Sequence, residues 1–120
     1  MPTAYNVLVA ALFLAINAGY ENIYFLGADH SWHQNIVVKN DNLLYIKDSH
    51  FYDLKTNYKL FDKGKAGELF KVHEVFLGWG RLFEVYILLN EYAQSRGVSI
   101  INVSLESFID AFQRISISDI

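Results

Sequence analysis

No cysteine occurs in the chain, which excludes disulfides, thiolate zinc sites and a cysteine nucleophile and fits a reducing, cytoplasmic setting. Charge is scarce as well: Asp, Glu, Lys and Arg make up 19% of the 120 residues, and the net charge is only -3. The few Lys and Arg are scattered and form no basic stripe, so the composition argues against a reader of nucleic acid. G-x-S-x-G, H-E-x-x-H, the P-loop and G-x-G-x-x-G are all absent, and the hydrolase, zinc-protease and common nucleotide-fold readings lose their motifs with them. No internal repeat, low-complexity tract or interdomain linker interrupts the sequence. What remains is apolar: 52% hydrophobic and 16% aromatic residues, ample for a packed core. A small domain has much surface for its volume. So much apolar material with so little charge predicts that some of it is covered by a second copy of the chain or a partner subunit.

The longest apolar run, residues 7–16, is bracketed by Asn6 and Asn17 and closed by Gly19. It falls well short of the roughly 20 apolar residues of a membrane span, and it lacks the basic flank and small-residue cleavage site of a secretory signal. Peripheral membrane association is the most it supports. We read a helix over residues 4–18, with Thr3 as its cap and Pro2 at its entry. Being apolar almost all round, it should be covered on more than one side, with Gly19 at the left-handed position after its end.

Residues 22–27, Asn-Ile-Tyr-Phe-Leu-Gly, form a short apolar run ending in glycine, the pattern of a buried parallel strand. Residues 28–42 are a polar loop, 43–47 a short strand, and 48–67 a long stretch without periodicity. A helix is expected over 68–76, then a turn at Gly78-Trp79-Gly80, then a second helix over 81–96 with Leu82, Val85, Tyr86, Leu89 and Ala93 on one face. Gly97 follows, then a buried strand over 98–103 and a last short helix through Phe112. Helix and strand alternate, which implies a parallel sheet. The expected organisation is one α/β domain over 1–120 with an irregular insertion at about 29–67, and a sheet thin enough to need completion from elsewhere.

In open α/β sheets ligands bind beyond the carboxyl ends of the strands, which points to Gly27, Ala28 and Asp29. Gly27 permits close approach to the backbone, and Asp29 can accept hydrogen bonds from a sugar hydroxyl pair; the plainer reading is a strand-end turn capped by Asp. Asp29, His30 and His33 carry metal-ligating chemistry, but no third ligand is defined and we expect no metal. His50, flanked by Asp48, Tyr52 and Asp53, has the surroundings of a general base near neutrality; the plainer reading is a surface or core-edge histidine. Tyr52 and Tyr58 can donate to a phosphate oxygen or serve as packing.

Within residues 10–29 the pattern A-x-x-x-A-I-x-x-G-Y-x-x-I-Y-x-x-G-x-D resembles the bacterial sialyltransferases that decorate lipooligosaccharides and capsules, and the wider family that includes the MptE-like pterin diphosphokinases. Ser49-His50-Phe51 follows at a compatible distance, then Glu91-Tyr92-Ala93, Ile100-Ile101-Asn102-Val103 and Ser107-Phe108. The resemblance implies a Rossmann-like three-layer αβα fold, here a partial domain with a short parallel sheet matching the C-terminal half of such an enzyme. It implies inverting, metal-independent transfer from a nucleotide-activated sugar, typically CMP-linked, to a glycan hydroxyl in lipopolysaccharide or capsule synthesis, without a cofactor. Gly27, Ala28 and Asp29 would hold the ribose, Thr3 would contact the donor and His50 would be the base. Where the sialyltransferases place tyrosines against the leaving phosphate, this chain has His30, Ser31 and Trp32, so His33 and Tyr52 are left to take that contact. A non-catalytic half domain that serves assembly is the alternative, and a relative of the pterin diphosphokinases a third.

Overall fold

A computed structural model of the chain describes residues 6–48, 57–65 and 67–120. Its elements are α1 (Val7–Asn17), β1 (Asn22–Phe25), a 3₁₀ turn (Trp32–Asn35), β2 (Ile36–Val38), β3 (Leu44–Asp48), β4 (Asn57–Leu60), α2 (Val72–Ser95), β5 (Ser99–Asn102), β6 (Gln113–Arg114) and a 3₁₀ turn (Ile117–Asp119). They divide into two units, one made of Met1–His30 with Gly80–Ile120 and the other of Ser31–Trp79.

In the first unit, α1 begins at Asn6 and not at the expected Thr3, which lies outside the described residues. Asn6 has extended backbone, and its side-chain oxygen accepts from the Val9 N–H at 2.9 Å. Asparagine outranks threonine as a cap, which accounts for the later start. Val9, Leu12 and Ile16 are buried, whereas Val7 is 85% and Leu14 60% exposed. The chain itself therefore covers one face of a helix that was expected to be covered on several. Gly19 takes the expected left-handed conformation, φ +93°.

β1 pairs with β5 in parallel, Ile23 opposite Ile100 and Phe25 opposite Asn102, as the two short apolar runs imply. However, β1 is not the buried strand expected: only its Phe25 is buried, because it forms an edge of the sheet among the described residues. β6 adds a third parallel strand on the far side of β5, giving the order β1-β5-β6. The chain is thus a mixed α/β protein with a small parallel sheet. Helix α2 presents Leu82, Tyr86, Leu89 and Ala93 to the core, spaced at one face of a 3.6-residue period. It meets α1 where Phe13 and Tyr92 stack at 5.7 Å and the Tyr92 hydroxyl donates to Asn17 at 2.6 Å.

No helix spans residues 104–112; the stretch is a series of bends. Asn102 accepts from the Ser104 N–H and Ser107 from the Ile109 N–H, at 3.0 and 3.2 Å. Short polar side chains that satisfy nearby backbone groups compete with helix formation. The apolar spacing that suggested a helix is met instead by Ile109 and Phe112, both buried from the bends.

Gly78-Trp79-Gly80 is not the turn expected: α2 runs through it without interruption. An interior glycine costs a helix about 1 kcal/mol relative to alanine, a penalty that the long flanking helical stretches outweigh. A Cβ added at Gly78 or Gly80 would meet nothing within 4 Å. Gly78→Ala should therefore raise stability by about 0.5–1 kcal/mol, read as a higher urea midpoint at unchanged slope; a lower midpoint would contradict the continuous helix.

In the second unit, β2, β3 and β4 form an antiparallel sheet in that order, Val37 opposite Tyr45 and Tyr45 opposite Leu60. The strand expected over 43–47 is β3, and the rest of the segment, expected to be irregular, carries β2 and β4 besides. Lys39 lies 4.2 Å from the centre of the Tyr45 ring, Phe61 meets Phe70 edge to face at 4.9 Å, and Trp32 stacks on Trp79 at 6.1 Å. Lys63 and Glu74 pair at 2.6 Å, and the lysine is the main cause holding the Glu74 carboxyl below its ordinary pKa. No helix among the described residues is long and apolar enough to cross a membrane.

Candidate functional site at the carboxyl ends of the parallel strands

β1 stops at Phe25, and Leu26, Gly27, Ala28, Asp29 and His30 turn away from its end. Two residues of this turn have left-handed backbone, Gly27 at φ +76° and His30 at φ +52°. A Cβ at Gly27 would meet no atom within 4 Å, so backbone geometry, not crowding, is what favours glycine there. At His30 the conformation is uncommon for a residue with a side chain and has to be held by its surroundings.

The turn is held from two directions. On one side stands the exit of β5. The Ala28 N–H donates to the Ser104 hydroxyl at 3.2 Å, and the Ser107 hydroxyl donates to the Ala28 carbonyl at 2.6 Å. The Phe108 N–H donates to the Asp29 carbonyl at 2.7 Å, and the Val103 N–H to the Phe25 carbonyl at 2.9 Å. Asn102, fully buried, donates to Ser107 at 3.1 Å. Ser107 thereby uses one donor and two acceptor positions, the whole capacity of a hydroxyl. Ala28 is buried with both backbone groups engaged. It anchors the turn, while Gly27 and Asp29 on either side of it are exposed.

On the other side stand the first turn of α1 and the middle of α2. His30 Nε2 lies 2.6 Å from the Tyr86 hydroxyl, and Asn6 Nδ2 donates to that hydroxyl at 3.0 Å. Tyr86 has no exposed surface. Burial lowers the His30 pKa below the ordinary imidazole value, opposed by the Asp29 carboxylate. Burial likewise raises the Tyr86 pKa, opposed by the Asn6 hydrogen bond. Near pH 7 both groups are therefore neutral. With Asn6 Nδ2 donating to it, the Tyr86 hydroxyl can in turn donate to His30 Nε2, and in that arrangement the imidazole proton sits on Nδ1.

The depressed His30 pKa has a consequence for stability. Between the folded value and the unfolded value near 6.5, the unfolded chain binds more protons. This contribution is complete above the unfolded value and is lost as pH falls from there through the folded value. The melting temperature should drop more between pH 7.5 and pH 5 in the wild type than in His30→Asn, a side chain that tolerates the left-handed backbone. Equal drops would show that His30 does not titrate as its burial requires.

Gly27, Ala28 and Asp29, expected from the sequence, do form one turn. His33 lies in the 3₁₀ turn Trp32–Asn35, which belongs to the other unit. Thr3, His50 and Tyr52 lie outside the described residues. Among the described residues no group of three or more His, Asp and Glu is placed to hold a metal ion. Asn6, Tyr86, Ser104 and Ser107 are site residues for which the sequence reading assigned no role in the turn. One signal for Tyr86 was available: a tyrosine on an otherwise aliphatic buried stripe needs a partner for its hydroxyl. No protein family, curated protein or solved structure matches the chain.

Proposed function

We propose that this chain is part of a nucleotide-sugar-dependent glycosyltransferase of bacterial surface-polysaccharide synthesis, Rossmann-like in architecture, with the donor nucleotide seated on the turn from Gly27 to His30. The observation that carries this reading is the turn itself. It lies at the carboxyl end of a parallel strand, where open α/β sheets bind ligands. It is pinned through Ala28 to the loop that follows β5 and exposes glycine backbone beside a carboxylate. Asp29 accepts from the ribose hydroxyls, and the exposed backbone at Gly27 leaves room for the nucleotide to approach. In an inverting transfer the acceptor hydroxyl attacks the anomeric carbon, the nucleotide leaves with the bonding electron pair on its phosphate oxygen, and a neutral imidazole takes the hydroxyl proton. His50 is the base that the resemblance supplies. Its loss should lower the transfer rate by roughly 10²–10⁴-fold without abolishing donor binding.

Thermal-shift titration with CMP, UDP, GDP and their sugar conjugates tests the reading. A ligand at 100 times its dissociation constant stabilises the folded state by about 2.7 kcal/mol. One nucleotide should produce such a shift, and Asp29→Ala should abolish it. No shift with any of them would overturn the reading.

A second reading, a non-catalytic module that assembles with copies of itself or a partner, is favoured by α1. That helix has no charged residue and leaves Val7 and Leu14 largely exposed, while β1 forms one edge of its sheet. Apolar surface beside an open strand edge suits an interface. Concentration-dependent association in sedimentation velocity supports it, and a monomer at all concentrations rejects it.

A further inference from the structure

The proposed donor carries a phosphate, yet the turn that would hold it brings a carboxylate and no cation. The loop between β5 and β6 adds Glu106 and Asp110, and after Arg96 the sequence has a single cationic side chain, Arg114. Arg114 closes β6. Its Nη2 donates to the carbonyls of Ser107 and Ile109, at 2.7 and 2.6 Å. Those two bonds take both hydrogens of Nη2 and fix the plane of the guanidinium. Nε and Nη1 retain three N–H donors, and among the described residues Arg114 has no ion-pair partner.

Arg114 lines a surface groove of about 350 Å³ together with Ser104, Ser116, Leu105 and Ile117. Leu105 is fully exposed and Ile117 58% exposed, so the groove is lined by apolar side chains as well as by an arginine. It is linked to the donor turn by hydrogen bonds. Ser104, which lines it, accepts from the Ala28 N–H. Ser107, whose carbonyl orients Arg114, donates through its hydroxyl to the Ala28 carbonyl. One residue thus ties the guanidinium and the turn together.

We infer that Arg114 is the phosphate-binding residue of this site and that the groove at the ends of β5 and β6 takes the phosphate of the nucleotide whose ribose sits on the turn. The inference rests on the nucleotide-sugar reading. A pre-oriented guanidinium is well suited to phosphate because its planar fork delivers several charge-assisted hydrogen bonds at once. With a net charge of -3 on the chain and Asp29 nearby in the turn, a local cation favours binding of an anion there.

Isothermal titration of CMP, UDP, cytidine and uridine against wild type, Arg114→Gln and Arg114→Lys tests the assignment. The nucleotide that binds wild type should lose at least ten-fold in affinity in Arg114→Gln and recover part of it in Arg114→Lys, while its nucleoside binds all three proteins alike. Unchanged nucleotide affinity in Arg114→Gln would overturn the role of Arg114 and leave the donor site standing. Failure of both nucleotides and both nucleosides to bind wild type would remove the donor reading and this inference together. Because Arg114 also braces the loop before it, a second measurement spares the fold: phenylglyoxal modification of the wild-type chain, read by mass spectrometry. Bound nucleotide should slow modification at Arg114 and not at Arg81 or Arg96; equal rates at all three would overturn the inference.

Discussion

Replacing Tyr86 with alanine should destabilise the chain by about 3–5 kcal/mol, the range for deleting a large buried ring. The residue has no exposed surface, contacts Phe112 edge to face at 5.9 Å and carries the hydroxyl between Asn6 and His30. Domains of this kind are stable by about 5–15 kcal/mol in total, so the alanine variant should be substantially unfolded in mild urea. Tyr86→Phe separates packing from polarity. It keeps the ring, removes the shared hydroxyl and should cost about 1–3 kcal/mol for the polar groups left without it. The phenylalanine variant should also lose the ordered left-handed turn at His30, visible as line broadening at residues 27–30 in nuclear magnetic resonance spectra. An alanine variant as stable as wild type in urea denaturation would show that the ring is not in the core.

Asn102→Leu is the second large effect. Asn102 is fully buried in the middle strand of the parallel sheet, where an aliphatic residue would ordinarily stand. Its side chain satisfies the Ser104 N–H and donates to the Ser107 hydroxyl. Leucine leaves the Ser104 N–H without an acceptor and removes one donor to Ser107, at about 1–3 kcal/mol for a buried group left unsatisfied. The branched side chain must also enter a space shaped for an amide. Ser107→Ala strikes the same network at the Ala28 carbonyl, and the double variant should lose clearly less than the sum of the two single losses, because both dismantle one set of bonds. Additive losses by chemical denaturation would show that the two residues act separately.

The parallel pairing of β1 and β5 was legible because both are short and apolar; the expected burial holds for β5, whereas β1 buries only Phe25 and leaves Tyr24 exposed. The helix ends at Gly19 and Gly97 were legible for a backbone reason, the left-handed position that glycine takes without strain. Other parts were not. The reading broke α2 at Gly78-Trp79-Gly80 because local propensity favours a break, and a helix long on both sides overrode it. It took residues 104–112 for a helix because Ile109 and Phe112 are spaced like one, whereas Asn102, Ser104 and Ser107 had already claimed the backbone groups. In the second unit, Ile36-Val37-Val38 was a usable strand signal lying between polar residues. Strand β4 offered none, since all four of its residues are exposed.

The candidate site divides the same way. Gly27 and Asp29 follow from a rule about strand ends, which needs only the order of elements. Asn6, Tyr86, Ser104 and Ser107 come from three other parts of the chain, and only tertiary structure shows that they converge on Ala28 and His30.

The measurement closest to the central claim is a nitrogen-15 correlation spectrum of the labelled chain titrated with the nucleotide that the thermal-shift panel selects. The account predicts that amide signals of Gly27, Ala28, Asp29, His30 and Ser104 move together and saturate with one dissociation constant. Nucleotide-dependent shifts confined to other residues, or no saturable shift at 27–30, would contradict it.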